Sequence, residues 1–196
     1  GNRLISDRPA RSLSPGALAV SRALILLSHY TPMLFMGEEW GTARPFNYFT
    51  DHGPELGPLI KAGREAEFSS WDMTSVYGDE EVVMPDPQSE QAFLESKLDW
   101  SEAEDAGHRR LLEFTRALIA LRQDPDIASG DRLRTEFDLD GEVGWMRRGG
   151  TTVVFSIADG PRSLAAPGGE LVLAWDATAI ESGQVRVEGP GVAVFR

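Results

Sequence analysis

The chain has 196 residues, 41% of them hydrophobic and 26% charged, enough apolar material for a sizeable core in one large domain or two small ones. Its formal net charge of -12 argues against nucleic acid, which is bound through basic patches, and equally against an anionic membrane surface. Cysteine is absent, which excludes disulfides, thiolate metal sites and cysteine nucleophiles and makes a reducing cytoplasm the expected setting.

The opening Gly1-Asn2-Arg3 carries no basic-then-apolar leader pattern, so the chain is expected to begin inside a longer polypeptide. The run SPGALAVSRALILLSH, Ser14 to His29, predicts a buried helix with Ser14 as N-cap and Pro15 at the first helical position. Interrupted by Ser21 and Arg22, it is too short to span a bilayer. Met33-Leu34-Phe35-Met36, ended by Gly37, reads as a parallel strand covered on both faces. Residues 38 to 100 read as a long decorated loop, rich in proline and glycine, with helical hints over Leu59 to Phe68 and Ser89 to Leu98. An amphipathic helix follows from Ser101 to Arg122, its core face formed by Leu111, Phe114, Leu118 and Leu121, and Pro125 marks its end. Beyond it the period shortens. Val143 to Met146, Thr151 to Ile157, Leu171 to Trp175, Gln184 to Val187 and Val192 to Phe195 are β-prone runs between glycine-rich turns. They predict a small antiparallel β-sandwich filled by Trp145, Phe155, Trp175 and Phe195.

One buried strand and two long helices cannot close a sheet, so the first part is expected to be the end of something larger. In a (β/α)8 barrel, residues just past a strand lie on the catalytic face, which would place Gly37, Glu38, Glu39 and Trp40 there. The run TPMLFMGEEWG, Thr31 to Gly41, resembles the final-strand segment of the α-amylase superfamily (glycoside hydrolase family 13). PFNYFTDHGPEL, KAGREAEF and DPQSEQAFLESKLDW, between Pro45 and Trp100, are similar to the malto-oligosyltrehalose trehalohydrolases within it. The β tail agrees with that family only in kind.

The resemblance implies an α/β plus all-β architecture: residues 1-125 as the C-terminal portion of the barrel with a long active-site loop, and 126-196 as the β-sandwich. It also implies hydrolysis of the α-1,4 bond between trehalose and a maltooligosaccharide, by a retaining mechanism that needs two carboxyl groups. In that family the catalytic pair, and a third carboxylate that orients the sugar, precede the position of Gly1. The chain is therefore expected to be inert alone, with no catalytic residue of its own and no cofactor or metal. Its partners would be a maltooligosaccharide-type substrate and the upstream barrel of the same polypeptide. Its cut barrel should expose the apolar face of Ala17 to Leu27 and promote association.

The candidate substrate-binding residues are Asn2, Arg3, Glu38, Glu39, Trp40 and Phe46. Adjacent glutamates cannot flank a sugar at the separation of roughly 5 Å that retention requires, so Glu38 and Glu39 suit hydroxyl binding or support of the following loop. Trp40 and Phe46 could serve as sugar platforms, with packing as the competing role. Arg3 and Asn2 could orient the upstream carboxylate, a salt bridge being the competing role for Arg3. Lys61, Arg64 and Glu65 could close over an oligosaccharide, against the alternative of a solvated helical face. His29, His52 and His108 are not spaced as metal ligands. Two other readings stay open: a related glycogen-branching enzyme, which would transfer rather than hydrolyse, and a non-catalytic glucan-binding or interface module.

Overall fold

The structure, a computed structural model, describes residues 3–129, 131–180 and 183–196, and within them not the side chains of Leu133 and Ile180. In chain order it contains α1 (Pro9–Ser12), α2 (Pro15–Leu27), α3 (Leu56–Phe68), α4 (Met73–Tyr77), α5 (Glu90–Ser96), a 3-10 turn (Trp100–Glu104), α6 (Ala106–Arg122) and α7 (Pro125–Ala128). After a second 3-10 turn come β1 (Thr135–Asp140), β2 (Val143–Arg148), β3 (Thr151–Ser156), β4 (Arg162–Ala165), β5 (Leu171–Ile180) and β6 (Gln184–Phe195). These elements form two compact units. One joins Thr42–Trp100 to the N-terminal segment up to Arg11; the other joins Ser12–Gly41 to Ser101–Arg196.

In the second unit, α2 begins as its sequence predicts. Ser14 Oγ accepts the N–H of Ala17 and Pro15 occupies the first turn, satisfying one orphan donor where proline has none to lose. Leu18, Ala19, Val20, Ala23, Leu26 and Leu27 are buried. The helix packs on α6 and on β6, and Gly16 lies so close to Pro190 that a Cβ would stand 1.9 Å from its carbonyl oxygen. The expectation that this helix presents a bare apolar face is thus corrected: the chain's own sheet and α6 cover it. On the helix Ile25 is exposed, and further exposed apolar side chains come just after it, at Tyr30, Met33, Phe35 and Met36.

The predicted strand Met33 to Met36 does not form. Residues 31–35 have no regular structure, and Met33 is 85% exposed. A strand needs neighbours for its N–H and C=O groups, and among the described residues no parallel strand lies beside this segment. Arg122 at the end of α6 holds the chain just before it, donating to the carbonyls of Leu26, Ser28 and Tyr30, and Phe35 is bonded to Glu38 in the turn that follows.

The β tail is a single curled antiparallel sheet in place of the expected two-layer sandwich. Its order is β1-β2-β3-β6-β4, with β5 along the other side of β6. The reason is β6. Gln184 to Val187 pair with β4, Gly191 to Phe195 pair with β3, and β5 follows both halves through two register shifts. The two predicted runs at its ends are one bent strand, and β1 and β4 are strands that the sequence reading left out.

The four aromatics expected in one interior fall on two faces. Val154, Val185, Ala193 and Phe195 form a cluster with Trp145, Leu164 and Leu171 packed against it. The next residues in register, Phe155, Val192 and Trp175, point the other way. Trp175 is buried edge-on to Phe114 of α6, centroids 5.4 Å apart, with the Arg110 guanidinium 3.8 Å from its ring.

In the first unit the helical hints are realised as α3 and α5. Asn47 is buried: its N–H donates to Ser96 Oγ at 2.9 Å and its side-chain amide to Glu95 at 3.3 Å. Phe46, Phe49 and Phe93 form an edge-on aromatic series with spacings of 6.1 and 5.3 Å.

Candidate functional site

In the second unit the predicted acidic residues sit in a tight turn, residues 36–41, which contains Gly37 and Gly41 at φ values of 83° and 76°. Left-handed backbone favours glycine here, and a Cβ at Gly41 would also meet Leu111 at 2.8 Å. Three consecutive carbonyls of the turn are each held by a helix side chain. Arg22 of α2 donates to Glu38 O through Nη2 at 2.9 Å and Nε at 3.3 Å. Thr115 of α6 donates to Glu39 O at 3.1 Å, and His108 Nδ1 to Trp40 O at 2.8 Å.

This scaffold separates the roles of the three predicted residues. The Glu38 carboxylate accepts the N–H of Phe35 at 3.2 Å and lies 3.8 Å from Arg22 Nη1, so it closes the turn. Trp40 is 2% exposed and its indole N–H donates to Glu102 at 3.3 Å, which packs the ring expected as a sugar platform. Glu39, half-buried beside them, makes no side-chain hydrogen bond or salt bridge among the described residues, and its charge acts on Arg22. Arg22 is the residue the sequence reading passed over, taking it only as an interruption in an apolar helix. Burial lowers its pKa, and the nearby charges of Glu38 and then Glu39 oppose that shift.

In the first unit, Arg3 pairs with Asp7 at 2.8 Å, the salt bridge weighed above, and Phe46 takes part in the aromatic series. Asn2 lies outside the described residues. Of the loop cations, Lys61 pairs with Asp86 at 2.9 Å, and Arg64 lies over Tyr48 and Phe68 at 4.6 and 5.1 Å while approaching Glu67 at 3.7 Å. The hydrogen bond between Lys61 and Asp86 raises the lysine pKa and lowers that of the carboxyl.

Close by in this unit is a polar cavity of about 310 Å³ whose walls include Asp7, Arg11, Asn47, Glu80 and Glu95. Arg11 forms an ion pair with Glu80 in it, and Tyr77 donates to Asp7 at 3.2 Å. The Asn47 side-chain oxygen is buried without a hydrogen-bond partner. These residues carry no motif, since segments far apart in sequence bring them together, and the sequence reading passed over them. A cavity with carboxylates, a guanidinium and an amide suits a neutral ligand rich in hydroxyls.

Comparison with known proteins gives this geometry its context. No family model matches the chain. It is 44% identical to the malto-oligosyltrehalose trehalohydrolase of Rhizobium sp. (strain M-11) over all of its length and 33% of that protein's, and 40% identical to that of Mycobacterium tuberculosis over the same shares. A solved structure from Salmonella typhimurium described as an alpha amylase superposes on the whole chain with a TM-score of 0.77 at 28% identity, again over 33% of its own length. The chain thus spans about a third of the length of the relatives it matches. By that similarity along its full length, the chain belongs to the malto-oligosyltrehalose trehalohydrolase family, of which it corresponds to the C-terminal third.

Proposed function

We propose that the polypeptide bearing this chain is a cytoplasmic retaining glycoside hydrolase that cleaves the α-1,4 bond between a trehalose end and a maltooligosaccharide and releases trehalose. The observation that carries this reading is the 44% identity to a named trehalohydrolase across the whole chain. Residues 1-125 then contribute the closing part of a (β/α)8 barrel with its active-site loop, and 126-196 a C-terminal β domain.

Retaining hydrolysis needs two carboxyl groups about 5 Å apart flanking the scissile bond, one to protonate the glycosidic oxygen and one to attack the anomeric carbon from the opposite face. Glu38 and Glu39 do not meet that need, being chain neighbours, with Glu38 already engaged by Phe35 and Arg22. The pair belongs to the preceding polypeptide. Within this chain, Glu39 is suited to accept sugar hydroxyls, and Asp7, Arg11 and Asn47 offer acceptors and donors for the same chemistry. Arg3 and Asn2 orient the upstream carboxylate, and Phe46 borders the bound oligosaccharide. Trp40 contributes through the turn it anchors.

Product analysis tests the reading. Full-length enzyme incubated with maltotriosyltrehalose is expected to yield free trehalose and maltotriose, and the 196-residue chain neither. New α-1,6 branch points would instead assign a branching enzyme, and trehalose from the chain alone would overturn the placement of the carboxylates.

A further inference from the structure

The curled sheet holds a second cavity, unconnected with any residue assigned above. It has a volume of about 280 Å³, and its lining includes Trp145, Val154, Leu164, Asp138, Asp140 and Arg147. The strand register makes it. Asp138 stands opposite Trp145 and Asp140 opposite Val143, so in the β1 run TEFDLD the carboxylates share the face of the indole while Phe137 and Leu139 take the other. Trp145 in turn stands opposite Val154, whose side chain belongs to the buried cluster beneath. The cavity therefore has an aromatic and aliphatic floor and a polar rim, the make-up of many small-ligand sites.

The rim is poised for an external partner. The Asp138 carboxylate accepts only the N–H of Leu139, at 3.0 Å, and neither it nor Asp140 is paired with a cation among the described residues. Arg147 lies 5.4 Å from the Trp145 ring centre, held loosely by Glu136 at 3.9 Å and Thr152 at 3.4 Å. An anion would meet two carboxylates. A wholly apolar ligand would cover those carboxylates without satisfying them, at considerable cost. A ring with an apolar face, no charge and several hydroxyl donors satisfies floor and rim together.

We infer that this cavity is a second carbohydrate site, which takes one end of a neutral glucan with a pyranose ring against Trp145 and hydroxyls donating to Asp138 and Asp140. The choice of glucan among saccharides rests on the trehalohydrolase reading. The cavity is small against ligand pockets of roughly 300–1,000 Å³, so it receives a chain end and not a length of chain.

Hydrogen–deuterium exchange on the full-length enzyme, with and without maltoheptaose, tests the inference. Maltoheptaose is expected to protect amides of Thr135–Asp140 and Val143–Arg148. Asp138→Ala should weaken that protection about tenfold in sugar concentration, the effect of losing one charge-assisted hydrogen bond, and leave trehalose release unchanged. Trp145→Ala should abolish it; if that variant misfolds, the exposed Asp138→Ala decides alone. Overturning results are no protection in the wild type, protection equal in wild type and Asp138→Ala, or amides protected without sugar and indifferent to it, which would mean that another segment of the protein fills the cavity. An enzyme that releases no trehalose yet shows the protection would sink the hydrolase reading and leave this site standing.

Discussion

Arg22 shows how one residue can determine the geometry of a site without touching what is bound there. Its side chain crosses from α2 to the turn and donates twice to the Glu38 carbonyl, while the Glu38 carboxylate lies alongside. Removing it leaves that carbonyl without its two charged donors. Arg22→Ala is expected to destabilise the chain by about 1.5–3 kcal/mol, the usual range for hydrogen bonds to charged groups. Urea titration checks this, and an unchanged midpoint would mean that Thr115 and His108 hold the turn unaided. A lone arginine in an apolar helix was visible in the sequence. Its partner was not, since Glu38 lies beyond a helix end and an irregular segment whose path local periodicity does not report.

At the scale of elements, the contact between α2 and the bend of β6 organises the second unit. Ser14 and Pro15 start the helix where the local signals place it, and Gly16 then permits backbone approach to Pro190. Gly16→Ala would drive its methyl into a carbonyl oxygen that cannot turn aside, so we expect a loss of about 1–3 kcal/mol, as for overpacking elsewhere. Thermal unfolding measures it, and a stabilised variant would show that the helix shifts freely along the sheet. The same bend explains why the β domain is one curled sheet. Turn residues at Glu188-Gly189-Pro190-Gly191 suggest an end to the strand, yet β5 continues beside both halves and carries β6 through. The exposed β1 edge, with Phe137 at 76% exposure, alternates with Glu136, Asp138 and Asp140, charges that discourage strand pairing between molecules.

For the whole molecule, the segment after α2 is a liability. Tyr30, Met33, Phe35 and Met36 are exposed within seven residues, and apolar side chains exposed this densely along the chain raise the risk of association. The isolated chain is expected to self-associate at micromolar concentration in sedimentation velocity, and Met33→Lys with Phe35→Lys to shift it toward monomer. A wild-type monomer would remove the argument. The helices around Leu18 and Leu118, the capping at Ser14, the family and most β-prone runs were legible in the sequence, because each rests on local spacing or on a continuous motif. Which apolar run becomes a strand, which face each aromatic takes, and which distant polar residues share a cavity were decided only by tertiary structure. Strand formation needs a hydrogen-bonding neighbour, and facing depends on register, so both depend on partners that no local stretch of sequence contains.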